Sequence, residues 1–156
     1  MTPFRSRRSQ SGFSLLEVLI AILVLGFGLL GFALLQTNSV RFVQSANYRT
    51  QATTLAYDLI EQMRSNRFQA EWYTAASFDQ GSQIAQTVCD PGAGALAIAE
   101  KISIWQCQVV KALGDDAGAE VIFNDGEVTV AITWGDQRWD PENPDEPTTF
   151  GLETVL

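Results

Sequence analysis

Gly12-Phe13-Ser14-Leu15-Leu16-Glu17, continued by Val18-Leu19-Ile20-Ala21-Ile22-Leu23-Val24-Leu25 and on to Leu34-Leu35, decides how the rest of the chain is read. From Phe13 onward almost every residue is apolar. The run is long enough to cross a bilayer as a helix, for which about 20 residues are needed. One acid, Glu17, lies inside it. An ionisable side chain in such a segment costs about 2–3 kcal/mol near the helix centre and less near an end, so an acid kept there is a candidate functional residue. Arg5, Arg7 and Arg8 precede the run, with no acid among them. That asymmetry predicts a cytoplasmic N-terminal side and an outward-facing remainder.

A secretory signal peptide has a shorter apolar core with its small-residue cleavage site after it. Here the small residue, Gly12, precedes the core, and cleavage there leaves the hydrophobic helix on the mature protein. An ordinary signal anchor carrying one stray acid is the plainer alternative. The stretch from Gly12 to Glu17 closely resembles the class III signal of type IV pilins and pseudopilins. Four features coincide: a basic leader, Gly before Phe, a Glu at the matching offset, and an apolar run around it. The resemblance implies that residues 1–12 are a leader removed by a prepilin peptidase between Gly12 and Phe13. It also implies N-methylation of the new terminus at Phe13, and it makes Glu17, the fifth residue of the mature chain, the assembly glutamate. After such a cut Phe13 carries a free amine in a low-dielectric setting, where an opposite charge attracts far more strongly than in water. Glu17 is a candidate partner for that amine, its own or a neighbour's, and such a pair selects the register between adjacent helices.

Composition narrows the function classes. The 156 residues carry 10 basic and 18 acidic side chains, a net charge of −8. Three of the basic residues are the leader arginines, so removing the leader leaves 10 − 3 = 7 against 18. Nucleic-acid binding needs a basic footprint and is not expected. The acidity suits a solvated surface outside the cytoplasm. There is no histidine, which takes away the commonest general base and most zinc sites. Neither a nucleophile–base pair, a phosphate loop nor a metal-ligand cluster is visible, so neither catalysis nor a cofactor is expected. Cys89 and Cys107 are the only cysteines. Outside the cytoplasm an even pair reads as one disulfide; two free buried thiols are the alternative.

Taken in order, residues 13–67 read as one long helix in two halves. Residues 13–35 are the transmembrane or filament-core half. They contain Gly26, Gly28 and Gly31 but no proline. Many major pilins carry a proline here, so the glycines either soften the helix locally or allow close helix packing. Residues 36–67 form an exposed half that becomes amphipathic. Ala52, Leu55, Ala56, Leu59, Ile60 and Met63 recur at helical spacing, with Arg49, Thr53, Asp58, Glu61 and Arg64 mainly off that stripe. A stripe of this kind buries itself against a domain; the heptads are too few for a coiled coil.

Residues 68–156 are expected to form a periplasmic globular head. The aromatics Phe68, Trp72, Tyr73 and Phe78 lie in a loop with a helical turn and read as core more readily than as an interface. Ile98, Ile102, Trp105, Val109 and Leu113 fall at helical intervals, predicting a helix over 94–113 that Asp90-Pro91-Gly92 precedes and Gly114 ends. Val121-Ile122-Phe123 and Glu127 to Trp134 flank Asn124-Asp125-Gly126, a hairpin signal. In the second strand Val128, Val130, Ile132 and Trp134 share one face, with Thr129 and Thr133 opposite. Phe150 to Leu156 supplies a last strand. Between them lies a proline- and acid-rich loop from Asp136 to Pro147. Its acids (Asp136, Asp140, Glu142, Asp145, Glu146) match no EF-hand spacing and read as a solvated loop rather than a calcium site. Asp115 and Asp116 look like a turn.

The fold class expected is α+β: a long N-terminal helix packed on a small antiparallel sheet, with a short extra helix. The helix ending in Trp and Leu, the turn and the valine-rich strand closing on Thr133-Trp134 resemble minor pilins of the PilV type and the related minor pseudopilin I of type II secretion. The resemblance implies a minor pilin that helps initiate a type IV pilus and is incorporated in it or its tip complex, serving twitching motility and adhesion. The alternative is a minor pseudopilin of a type II secretion system. Implied partners are other minor pilins, the major pilin, the inner-membrane assembly platform, the prepilin peptidase and a tip adhesin. The implied location is the inner membrane, single-pass, and the pilus after assembly.

Overall fold

The computed structural model describes residues 12–86, 89–90, 94–136 and 146–156. The chain divides into two compact units, one reaching to Phe42 and the other running from Val43 to Leu156. Helix α1, Leu15–Ser65, contributes to both. In the first unit every described residue is exposed, which follows from a sequence with no second apolar element to pack on it. α1 is unbroken across Gly26, Gly28 and Gly31.

In the second unit α1 turns amphipathic as its spacing requires. Ala52, Ala56, Leu59, Ile60 and Met63 are buried, and Leu55 packs partly against them. The helix stops at Ser65 because Asn66 leaves helical geometry (φ −119°, ψ 44°). The Asn66 side-chain amide donates to the Gln62 carbonyl (2.9 Å), which also accepts the Ser65 hydroxyl (2.8 Å), and to the Tyr73 hydroxyl (3.0 Å), tying the helix end to the segment that follows. Burial raises the Tyr73 phenol above its ordinary pKa, and the Asn66 bond opposes that in part.

A 3₁₀ helix, Arg67–Ala76, follows, interrupted by non-helical geometry at Gln69. It corrects the reading of the aromatic cluster as core. With three residues per turn, Ala70, Tyr73 and Ala76 line up and are buried. Phe68 and Trp72 fall off that line and stand exposed, while Phe78 is half-buried.

Helix α2 is Ile98–Leu113, four residues shorter at its start than the sequence suggested. The Ala97 N–H donates to the Glu100 carboxylate (3.0 Å), which fixes the first turn there. Gly94, at φ 139°, lies outside helical space. Gly114 ends the helix at φ 101°, as expected. The preceding turn at Pro91-Gly92 lies outside the described residues.

The sheet has strand order β1-β2-β3, all antiparallel: β1 Gly118–Asn124, β2 Glu127–Gly135 and β3 Pro147–Val155. Asp125 and Gly126 both have positive φ (49° and 89°), the two-residue turn that matches strand twist. Val128, Val130, Ile132 and Trp134 are fully buried, and β3 lays Phe150 and Leu152 beside Ile132 and Val130. Ile102, Trp105, Val109 and Leu113 from α2 close the core between the sheet and α1. The architecture is α+β, a long helix with a small antiparallel sheet and one short extra helix.

Candidate functional site

The N-terminal segment is the candidate. Ser14 opens α1: its carbonyl accepts the N–H groups of Glu17 (3.0 Å) and Val18 (3.2 Å). Glu17 therefore lies in the first helical turn, where the unsatisfied N–H groups and the helix dipole favour a carboxylate. This explains why the acid sits at the end of the apolar run and not in its middle, where it would be far more costly. Phe13, Glu17, Ala21 and Leu25 recur every fourth residue and line one shallow trough with Val18 and Ile22. The residue that would become the new terminus and the acid thus share a face, one turn apart.

Apart from Glu17 that face is apolar, and nothing among the described residues covers it. Phe13, Val18, Ile22 and Leu25 on it are all exposed. α1 is long and apolar enough to cross a membrane, and none of its apolar window is buried inside the protein. A core helix of a soluble domain would be mostly covered; this one needs lipid or other helices. A Cβ added at Gly26, Gly28 or Gly31 would meet nothing within 4 Å. No packing among the described residues accounts for these glycines.

Residues 7–33 match the prokaryotic N-terminal methylation motif. Residues 34–101 match the type IV pilin Tt1218 family. Over residues 7–101 the chain is similar to type IV pilins. The two matches run without a gap from residue 7 through α1 into the start of α2, so the likeness spans both units. Comparison with curated proteins and with solved structures gave no match. The family matches together with the uncovered apolar helix support a pilin-type function and membrane association.

In the head, Cys89 and Cys107 are joined by a disulfide, with a Cα–Cα distance of 5.0 Å. Cys107 is on α2 and Cys89 in the segment before it, so the bond staples that segment to the helix; the Gln108 side-chain amide adds a bond to the Cys89 carbonyl (3.2 Å). Of the acidic loop, Asp140, Glu142 and Asp145 lie outside the described residues. Among the described residues no group of three or more His, Cys, Asp or Glu is placed to hold a metal ion.

Asp136 departs from its reading as a solvated loop acid. It is 4% exposed and accepts the Ser45 hydroxyl. The signal was present in the sequence: Asp136 is the next even-numbered position after Val128, Val130, Ile132 and Trp134, so the pleat carries it inward.

Proposed function

We propose that this pilin-like chain is a minor pilin of a type IV pilus, helping to initiate assembly and incorporated in the filament or its tip complex. In this reading the prepilin peptidase removes residues 1–12, cutting between Gly12 and Phe13, and methylates Phe13. The mature helix sits in the inner membrane with the head in the periplasm, then moves into the filament. Glu17 pairs with the terminal amine of its own or a neighbouring subunit and fixes the stagger between helices. Residues 13–35 form the filament-core half, residues 36–67 the exposed amphipathic half of the helix, and residues 68–156 the periplasmic globular head. The subunit's role is structural, with the energy of assembly supplied elsewhere. Its partners are other minor pilins, the major pilin and the inner-membrane platform, with a tip adhesin as a further candidate.

The observation that carries this reading is the uncovered apolar face that holds Phe13 and Glu17 one turn apart. A lone signal anchor needs no acid at that place. For Glu17→Ala, processing and membrane insertion stay near wild-type, and recovery in sheared filaments falls several-fold on immunoblots. Mass analysis of the mature chain finds an N-methylated phenylalanine at its start. Normal incorporation of the variant, or an uncut terminus, overturns the proposal. Loss of protein export with intact pili on deletion would point to the type II secretion pseudopilin instead.

A further inference from the structure

We propose that the cleft beside Asp136 is a slot for an arginine side chain of a neighbouring subunit. The Asp136 side chain is buried; one oxygen accepts the Ser45 hydroxyl, and the other, Oδ1, has no hydrogen-bond partner among the described residues. A buried carboxylate with half its acceptor capacity unanswered is unfavourable until a donor or cation completes it. The terminal torsion of an aspartate is broad, so a turn of the carboxyl presents Oδ1 to the cleft that Asp136 lines.

The other walls say what kind of cation fits. Gln44, Tyr48, Leu113, Asp115 and Asp116 line the same cleft. Asp115, beside the opening, accepts the Gln86 amide (2.8 Å). Tyr48 offers an aromatic face and Leu113 an aliphatic one. A guanidinium stacks on an aromatic face, its stem packs on apolar surface, and its planar fork of donors matches a carboxylate. A divalent metal would make no use of that wall, and no three-acid group is placed to ligate one among the described residues. A water would satisfy one oxygen but not the negative field. That the arginine belongs to another subunit rests on the filament reading; the chemistry of the slot does not.

The test uses the full-length chain in detergent, labelled at its backbone amides and followed by NMR. It is titrated separately with N-acetyl-arginine amide, N-acetyl-glutamine amide and calcium chloride. The arginine probe should give saturable shifts centred on Gly114, Gly135 and Asp136. The neutral glutamine probe should bind at least fivefold more weakly. Asp136→Asn should weaken the arginine probe at least tenfold. Tyr48→Leu keeps the wall apolar and should weaken it several-fold, which decides the matter should Asp136→Asn fail to fold. Equal response to both amides, saturation by calcium alone, or no response at tens of millimolar overturns the slot. If the arginine probe binds as expected while the chain is missing from sheared filaments, the slot stands and the filament reading falls.

Discussion

The Trp105 indole N–H donates to the backbone carbonyl of Leu55 at 2.9 Å, reaching from α2 to a carbonyl of the ladder of α1. Trp105 is fully buried in the core, and Leu55 is partly buried and packed against it. One side chain therefore fills the space between the two helices and fixes their axial register. Trp105→Phe removes the donor and part of the volume. Loss of a net hydrogen bond and of a few buried carbons costs about 1–3 kcal/mol. Urea unfolding of the detergent-solubilised chain should show a lower midpoint with an unchanged slope, and Trp105→Ala should fall further, by about 3–5 kcal/mol.

The Cys89–Cys107 bond closes a loop with a sequence separation of 18. Chain-entropy arithmetic assigns about 3 kcal/mol to a loop of that length, a large share for a domain with one small core. Cys89→Ser/Cys107→Ser should lower the unfolding midpoint accordingly. It should also expose the segment before α2 to limited proteolysis, while α1 keeps its helical circular dichroism. Protection equal to that of the native chain would mean that packing alone holds the segment.

The hairpin turn was legible because Asn124-Asp125-Gly126 sits between two strands with period-2 patterning, and only residues tolerant of positive φ fit there. The buried stripe of α1 and the inward face of β2 were legible for the same reason: each follows a single period over several turns or pleats. The cluster at residues 68–78 was not, since a 3₁₀ helix reads the chain at a period of three and splits aromatics that a helical or loop reading lumps together. The burial of Asp136 was missed because composition, rich in proline and acid, outweighed the strand's alternation. At the anchor, the sequence made the apolar face and Glu17 plain, but what covers that face belongs to other molecules.

Gly126 has φ 89° and a clear space where a Cβ would be, so its need for glycine is conformational and not steric. An L side chain in that region costs about 1–2 kcal/mol. Gly126→Ala should therefore destabilise the head by about that amount in thermal or urea unfolding. Gly151, in β3 with open space around it and no positive φ, serves as the control. Gly151→Ala should be neutral or slightly stabilising, since alanine loses less conformational freedom on folding.

Glu127 and Glu153 lie on the outer face of β2 and β3, where register pairs Thr129 with Glu153 and places Glu127 one step diagonal to it. The Glu127 carboxyl is raised above its ordinary pKa, chiefly by sharing a hydrogen bond with Glu153 and also by the repulsion between their charges. A group whose pKa is higher in the folded state adds stability below its unfolded value and loses that contribution as pH rises through the folded value. Glu127 therefore adds to folded-state stability below its unfolded value, and that contribution is lost as pH rises through the higher folded value, leaving it a net liability at neutral pH. Glu127→Gln should raise the melting temperature at pH 7 and leave it unchanged or lower at pH 3.5. Both carboxyls face solvent, so the effect should be small and should shrink further in high salt. Melting curves of the native chain and the variant at the two pH values, with and without added salt, check the sign: a variant that melts lower at pH 7 would mean that the carboxyls are held apart in solution.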